Sequence, residues 1–283
     1  VLAGMLCAIA ASLPGNFLLL RRMSLLGDAI SHAILPGLAV AFFLSESRSS
    51  WPMFLGAVVA GLLTAFFTEW IRNFGDVDEG ASMGVVFTTL FAIGLVMIVQ
   101  AADHVDLDPG CVLYGAIEMT PYDLITIAGL EIPRVVVVLS AVTIANLLFV
   151  LLFYKELKLS AFDPALSTSV GFNARLMHYL LMVIVAVTAV ASFESVGNIL
   201  VVAMFVVPPA TAYLLTERLG MMIFLSAVIA MLSAQLGHLS AVVVPHAFGF
   251  RSTNTAGMMA LCSGLPFFVA SMVSPRNGVI VRI

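Results

Sequence analysis

Long apolar runs recur along this chain, each ended by a short polar or charged break, and their lengths set the expected architecture. A helix needs about 20 mostly apolar residues to cross a bilayer. Nine stretches qualify, at roughly 1–20, 23–44, 51–71, 81–100, 133–154, 176–193, 196–215, 221–237 and 255–273. The first two are separated only by Arg21-Arg22, and the sixth and seventh form one block broken near SFESVGN, residues 192–198. The pattern therefore predicts an all-α polytopic transmembrane bundle of eight or nine spans, with residues 1–283 as a single domain. The chain opens at Val1 directly in an apolar run that ends in arginines and not in a cleavage site, so a short preceding segment is expected.

Two connections are long enough to carry function. One, about residues 101–132, begins ADHVDLDPGCVLYG; its later part, DLITIAGL, is apolar and predicts a short interfacial or re-entrant helix. The other, residues 155–175, reads KELKLSAFDPALSTSVGFNAR. Asp163 suits an N-cap, Pro164 the first helical position and Gly171 the C-terminal cap. A surface helix of about two turns is expected within about 161–173, with Phe162, Leu166 and Val170 at helical spacing and open to a soluble partner. Gly80 and Gly84 form a GxxxG pair at the start of the fourth span, a motif of low specificity. Pro14, Pro36, Pro208 and Pro209 fall inside spans, where each removes a backbone donor. Pro36 leaves the carbonyl of His32 without its usual partner.

Composition sharpens this reading. The chain is 61% hydrophobic and 10% charged, with mean hydropathy +1.12, whereas a soluble domain carries about 25% charge. A net charge of −4 argues against nucleic acid as a partner. Cys7 and Cys262 lie in apolar runs as small core residues, and with Cys111 they form neither a disulfide framework nor a zinc spacing. With nine spans and a cytoplasmic C-terminus, nine of the twelve lysines and arginines face the cytoplasm and three (Arg48, Arg134, Arg251) face out, as the positive-inside rule requires. The outer loops then hold Glu46, Asp103, Asp106, Asp108, Glu118, Asp123 and Glu131, an acidic face that would gather cations.

The chemistry concentrates in the second span. Asp28 and His32 are four residues apart, on one face of a helix, about 6 Å apart along its axis. Arg21 lies seven residues earlier, about 10 Å along a helix, which would place Asp28 well inside the membrane and His32 near mid-depth. Ionisable groups at that depth usually face a polar pathway. A carboxylate with an imidazole suits a divalent first-row metal. Glu194, flanked by apolar runs, is a third candidate, and Ser31 and Ser195 offer secondary oxygens. Asp103, His104, Asp106 and Asp108 form a possible outer entry cluster; His238 and His246 are expected to flank the loop before the last span, and His178 to sit at an interface. No GxxxxGK[ST], GxSxG, HExxH or dinucleotide fingerprint is present, so any ATP must be hydrolysed by another subunit.

RRMSLLGDAISHAILPG (21–37), ADHVDLDPGCVLYG (102–115), ESVGNILVVAMFVVPPATAYLL (194–215) and STNTAGMMALCSGL (252–265) resemble the permease subunits of bacterial metal-cation ABC importers. The resemblance covers nearly the whole chain, and its acidic loop looks more like the manganese/iron branch than the zinc branch. It implies a multi-pass protein of the bacterial inner membrane that moves a divalent ion, manganese first and iron or zinc as alternatives. The ion would be substrate, with no permanently bound cofactor. The implied partners are a cytoplasmic ATPase, a second permease subunit (identical or sister), an extracytoplasmic metal-binding protein and membrane lipid. Asp28 and His32 match the metal-contacting positions, Glu194 less firmly, and the segment around Asp163, Pro164, Leu166 and Gly171 matches the coupling segment that docks into the ATPase. A permease for a chelated metal or corrinoid, an ion-gradient-coupled carrier and, more distantly, an intramembrane metal-dependent hydrolase are the alternatives.

Overall fold

The computed structural model describes residues 1–45, 50–101, 117, 123–127, 130–249 and 253–274, with the backbone alone at Ser50, Glu79, Gln100, Ala101, Ile127, Leu130, Glu194 and Phe248. Among these, twelve α-helices and one hairpin are formed. In chain order they are α1 Leu2–Leu20, α2 Leu26–Ala33, α3 Leu35–Ser45, α4 Ser50–Gly75, α5 Glu79–Ala101, β1 Leu124–Ile127, β2 Leu130–Pro133, α6 Arg134–Leu152, α7 Tyr154–Phe162, α8 Pro164–Ser169, α9 Ala174–Val196, α10 Asn198–Leu215, α11 Leu219–Phe248 and α12 Thr255–Val273. Taking α2 and α3 together, nine segments of the described residues are long and apolar enough to span a membrane.

The centre of the bundle is α1, which packs on α6, α9, α10 and α11. Its small residues Cys7, Ala8, Ala10 and Ala11 and its Phe17 are fully buried, so neighbouring backbones approach closely. Proline at position 14 leaves the Ala10 carbonyl without an intrahelical donor. Asn146 of α6 fills that role, donating to Ala10 O at 2.8 Å and to Thr188 Oγ1 of α9 at 2.8 Å. Asn16 similarly donates to Ser226 Oγ of α11 at 2.7 Å. In α10, Pro209 frees the carbonyl of Phe205, and that oxygen lies so near Gly15 that a Cβ there would collide with it. Free Cys7 and Cys262 are both buried.

A second group, α2 to α5, packs alongside; α4 and α2 join it to α9, and α2 also meets α10. Two helices replace the single second span because Pro36 cannot donate, and the chain breaks at Ile34. Gly94 of α5 sits against this break, where an added Cβ would lie 2.7 Å from Pro36 N. The GxxxG pair makes no comparable approach: nothing among the described residues lies within 4 Å of a Cβ at Gly84.

Three expectations are corrected. DLITIAGL contributes a strand, not a helix: β1 pairs antiparallel with β2, Ile125 opposite Ile132 and Thr126 opposite Glu131. Its β-branched residues favour the extended chain, and the run is too short for a membrane helix. The eighth span does not end near residue 237 but continues to Phe248, because LSAVVVPHAF stays apolar, and Gly249 caps it with φ 74°. His238 therefore lies within α11 and does not flank a loop, while His246 stands in its last turn, next to the connection before the last span. Finally, Glu194 is in the last turn of α9 and not in a connecting turn; the break comes at Gly197, whose φ of 89° and ψ of 159° are open essentially to glycine alone.

Candidate functional site

Asp28 stands in the first turn of α2 and His32 in its last. The carboxylate of Asp28, in the first turn, complements the positive end of the helix dipole. The helix aims them together: His32 Nε2 is 3.6 Å from Asp28 Oδ1, too far for a hydrogen bond. Two ligands about 2.1 Å from one tetrahedral cation stand about 3.4 Å apart, so the gap is that of two arms open to a shared ion. The side chains are 43% and 33% exposed and open on the flank of the bundle where α2 meets α5. Across from them, Phe87 and Phe91 of α5 hold the imidazole, both ring centroids at 5.7 Å, Phe91 edge-on at 90°. Neither ring nitrogen of His32 makes a hydrogen bond to the described residues.

The depth expected for the pair is revised. Residues 21–25 form a turn, not a helix, with Arg22 at φ 62°, so the distance from Arg21 is not an axial rise. His32 is the seventh residue of the 20-residue segment Leu26–Ser45, about 9 Å along it and short of the middle.

Other candidates are placed less favourably. Ser31 and Ser195 are buried and spend their hydroxyl protons on backbone carbonyls, those of Asp28 at 2.6 Å and Ala191 at 3.1 Å. The Glu194 side chain, and Asp103, His104, Asp106 and Asp108 entirely, lie outside the described residues. Among the described residues no group of three or more His, Cys, Asp or Glu is assembled to hold a metal ion.

On the other long connection, Asp163 caps α8, accepting from Leu166 N at 2.9 Å, and Pro164 is its first residue. Gly171 takes φ 96° just beyond its end. Phe162, Leu166 and Val170 are all exposed.

Sequence reasoning missed one group altogether. Glu69 of α4 lies at 11% side-chain exposure and accepts from Asn73 Nδ2 at 2.9 Å, with Arg72 NH2 at 3.2 Å. Its other oxygen is 3.1 Å from Nε2 of His178, itself 14% exposed and near the start of α9. Arg21 reaches His178 Nδ1 at 3.0 Å and Ser160 Oγ at 2.7 Å. The available signal was one carboxylate in an otherwise apolar span.

The chain's residues 1–274 match the model of the ABC 3 transport family. The chain belongs to that family. It is 40% identical over 283 residues to the manganese transport system membrane protein MntD of Bacillus subtilis, covering 100% of this chain and 93% of that protein. To the zinc transport system membrane protein TroD of Treponema pallidum it is 38% identical over 282 residues, covering 100% and 75%. Among solved structures, PsaBC from Streptococcus pneumoniae in complex with Fab matches with a TM-score of 0.77 and 30% identity, over 98% of this chain and 91% of that one. An inward-facing ABC transporter of metal-chelate type shares the fold alone, with a TM-score of 0.64 at 14% identity. As a family member, this chain is a polytopic membrane permease subunit of an ABC transporter, a transport component and not the catalytic one.

Proposed function

We propose that this permease passes a divalent metal ion into the cytoplasm, with manganese as the first candidate and iron or zinc next. The observation that carries the proposal is the Asp28–His32 pair, spaced as two ligands of one cation and open on the flank of a membrane bundle. Relatives whose names specify manganese or zinc support it. Oxygen and nitrogen donors suit all three metals, so selection would rest on geometry and availability.

Partners follow from exposed chemistry. An ionisable pair on an open flank cannot face acyl chains cheaply; a second permease subunit, covering the α2–α5 flank, removes that cost and supplies further ligands. At the other functional surface, exposed Phe162, Leu166 and Val170 offer α8 to an ATPase. An extracytoplasmic binding protein delivers the ion, with Asp103, His104, Asp106 and Asp108 as its point of entry and Glu194 as a further ligand. In the cycle, Asp28 and His32 hold the ion between delivery and release, strongly enough to displace water and weakly enough to let go. ATP turnover in the partner shifts α8 and alternates the opening.

The test is ATP-dependent uptake of Mn²⁺, Fe²⁺ and Zn²⁺ by the complex in proteoliposomes, comparing wild type with Asp28→Asn and His32→Ala. Each variant should lose about tenfold or more in uptake, the scale of removing a metal ligand or its support. Full uptake by Asp28→Asn would instead favour a chelated cargo.

A further inference from the structure

The residues on either side of α8 are held by one buried polar network. Ser160 precedes α8 on α7 and His178 comes after it on α9. Arg21, the residue that ends α1, donates to both, at 2.7 and 3.0 Å. Because a guanidinium only donates, His178 Nδ1 accepts, and its Nε2–H therefore donates to Glu69 Oε2 at 3.1 Å. Arg72 and Asn73 hold the second oxygen of Glu69. Four elements, α1, α4, α7 and α9, thus meet at one carboxylate and one guanidinium.

The turn between Arg21 and α2 is stiff. Arg21 N bonds Phe17 O at 3.1 Å, Arg22 N bonds Leu19 O at 3.1 Å, Met23 N bonds Leu18 O at 2.9 Å and Leu26 N bonds Met23 O at 3.0 Å. Met23 and Leu26 are fully packed, at 1% and 0% exposure. A displacement of Arg21 is therefore not absorbed in the turn but reaches α2, which carries Asp28 and His32. We infer that Glu69 and His178 are positioning residues for transport: with Arg21 and Ser160 they connect the α8 segment to the α1–α2 hairpin, so that a shift of α8 moves the Asp28–His32 pair. This rests on reading α8 as the ATPase-docking segment. An apolar cluster of equal volume would hold these helices together as well or better; the network adds direction, because its bonds bridge the two segments that must move together.

The test uses the whole complex in proteoliposomes, with Mn²⁺ uptake and ATP hydrolysis measured in the same vesicles, and thermal stability in detergent measured in parallel. The variants are Glu69→Gln, His178→Ala, His178→Gln and Ser160→Ala; the last removes one hydroxyl and leaves the fold intact should the others fail to express. Expected is a fall of about fivefold or more in Mn²⁺ moved per ATP for Glu69→Gln and His178→Ala, a smaller fall for Ser160→Ala, and retained ATP hydrolysis. His178→Gln, which offers one acceptor and one donor, should recover part of the ratio. An unchanged ratio in every variant overturns the inference, as does a fall in uptake and hydrolysis together that tracks lost thermal stability. Asp28→Asn is run beside them. If it transports normally while the network variants uncouple, the metal-ligand reading falls and the relay stands; if it is inactive while they stay coupled, the relay falls.

Discussion

Replacing Asn146 with leucine asks whether a proline in a buried helix needs a polar neighbour. Asn146 is 1% exposed, and its amide makes two interhelical bonds, to the Ala10 carbonyl that Pro14 leaves free and to Thr188. Leucine has the branched shape of asparagine but is larger, so a packing cost common to both backgrounds adds to the values below and cancels in the cycle. Leaving one buried carbonyl without a donor costs about 1–3 kcal/mol. Interhelical bonds in membranes average about 0.6 kcal/mol with a ceiling near 1.7. The variant should therefore lose about 1–2 kcal/mol. In a Pro14→Ala background, residue 14 regains its N–H and can satisfy Ala10 itself. There the same substitution should cost only the Thr188 bond, about 0.6 kcal/mol. The assay is equilibrium unfolding of all four proteins in mixed micelles, with a coupling energy of about 1 kcal/mol expected from the cycle. An equal cost of Asn146→Leu in both backgrounds would show that the Ala10 bond contributes nothing.

Two further outcomes arise from the backbone. Gly197→Ala forces a Cβ into φ 89°, ψ 159° between α9 and α10, and should lower stability by about 1–3 kcal/mol in the same unfolding assay. Asp163→Ala removes the cap of α8, worth about 1 kcal/mol, and should raise hydrogen exchange at Leu166 N without moving the global unfolding midpoint.

The spans were legible because bilayer thickness demands long apolar runs, and few other folds produce them. Asp28 and His32 were legible for the same reason: polar residues stand out at helical spacing in such a run. Glu69 was not, because it stands alone near one end of its span and its partner His178 is 109 positions away. Spacing reports only what one helix brings together. The hairpin was misread because a short apolar run serves a strand or a helix equally; Ile125, Thr126, Ile127 and Ile132 carried the deciding β-branching. The end of α11 was misread because Gly237-His238 resembled a terminus, yet Gly237 lies against the backbone of Met259 on α12.

The clasp of Phe87 and Phe91 on His32 has a kinetic consequence. Histidines in tight metal centres are usually steadied by a hydrogen bond from the far ring nitrogen to a carboxylate or carbonyl, and losing that support weakens affinity about 10–100-fold. Here two aromatic rings, Phe87 tilted and Phe91 edge-on, steer the ring instead, and no such bond is made among the described residues. A cation seated on this imidazole would have a short residence time, set by a fast off-rate, which suits a way-station better than a store.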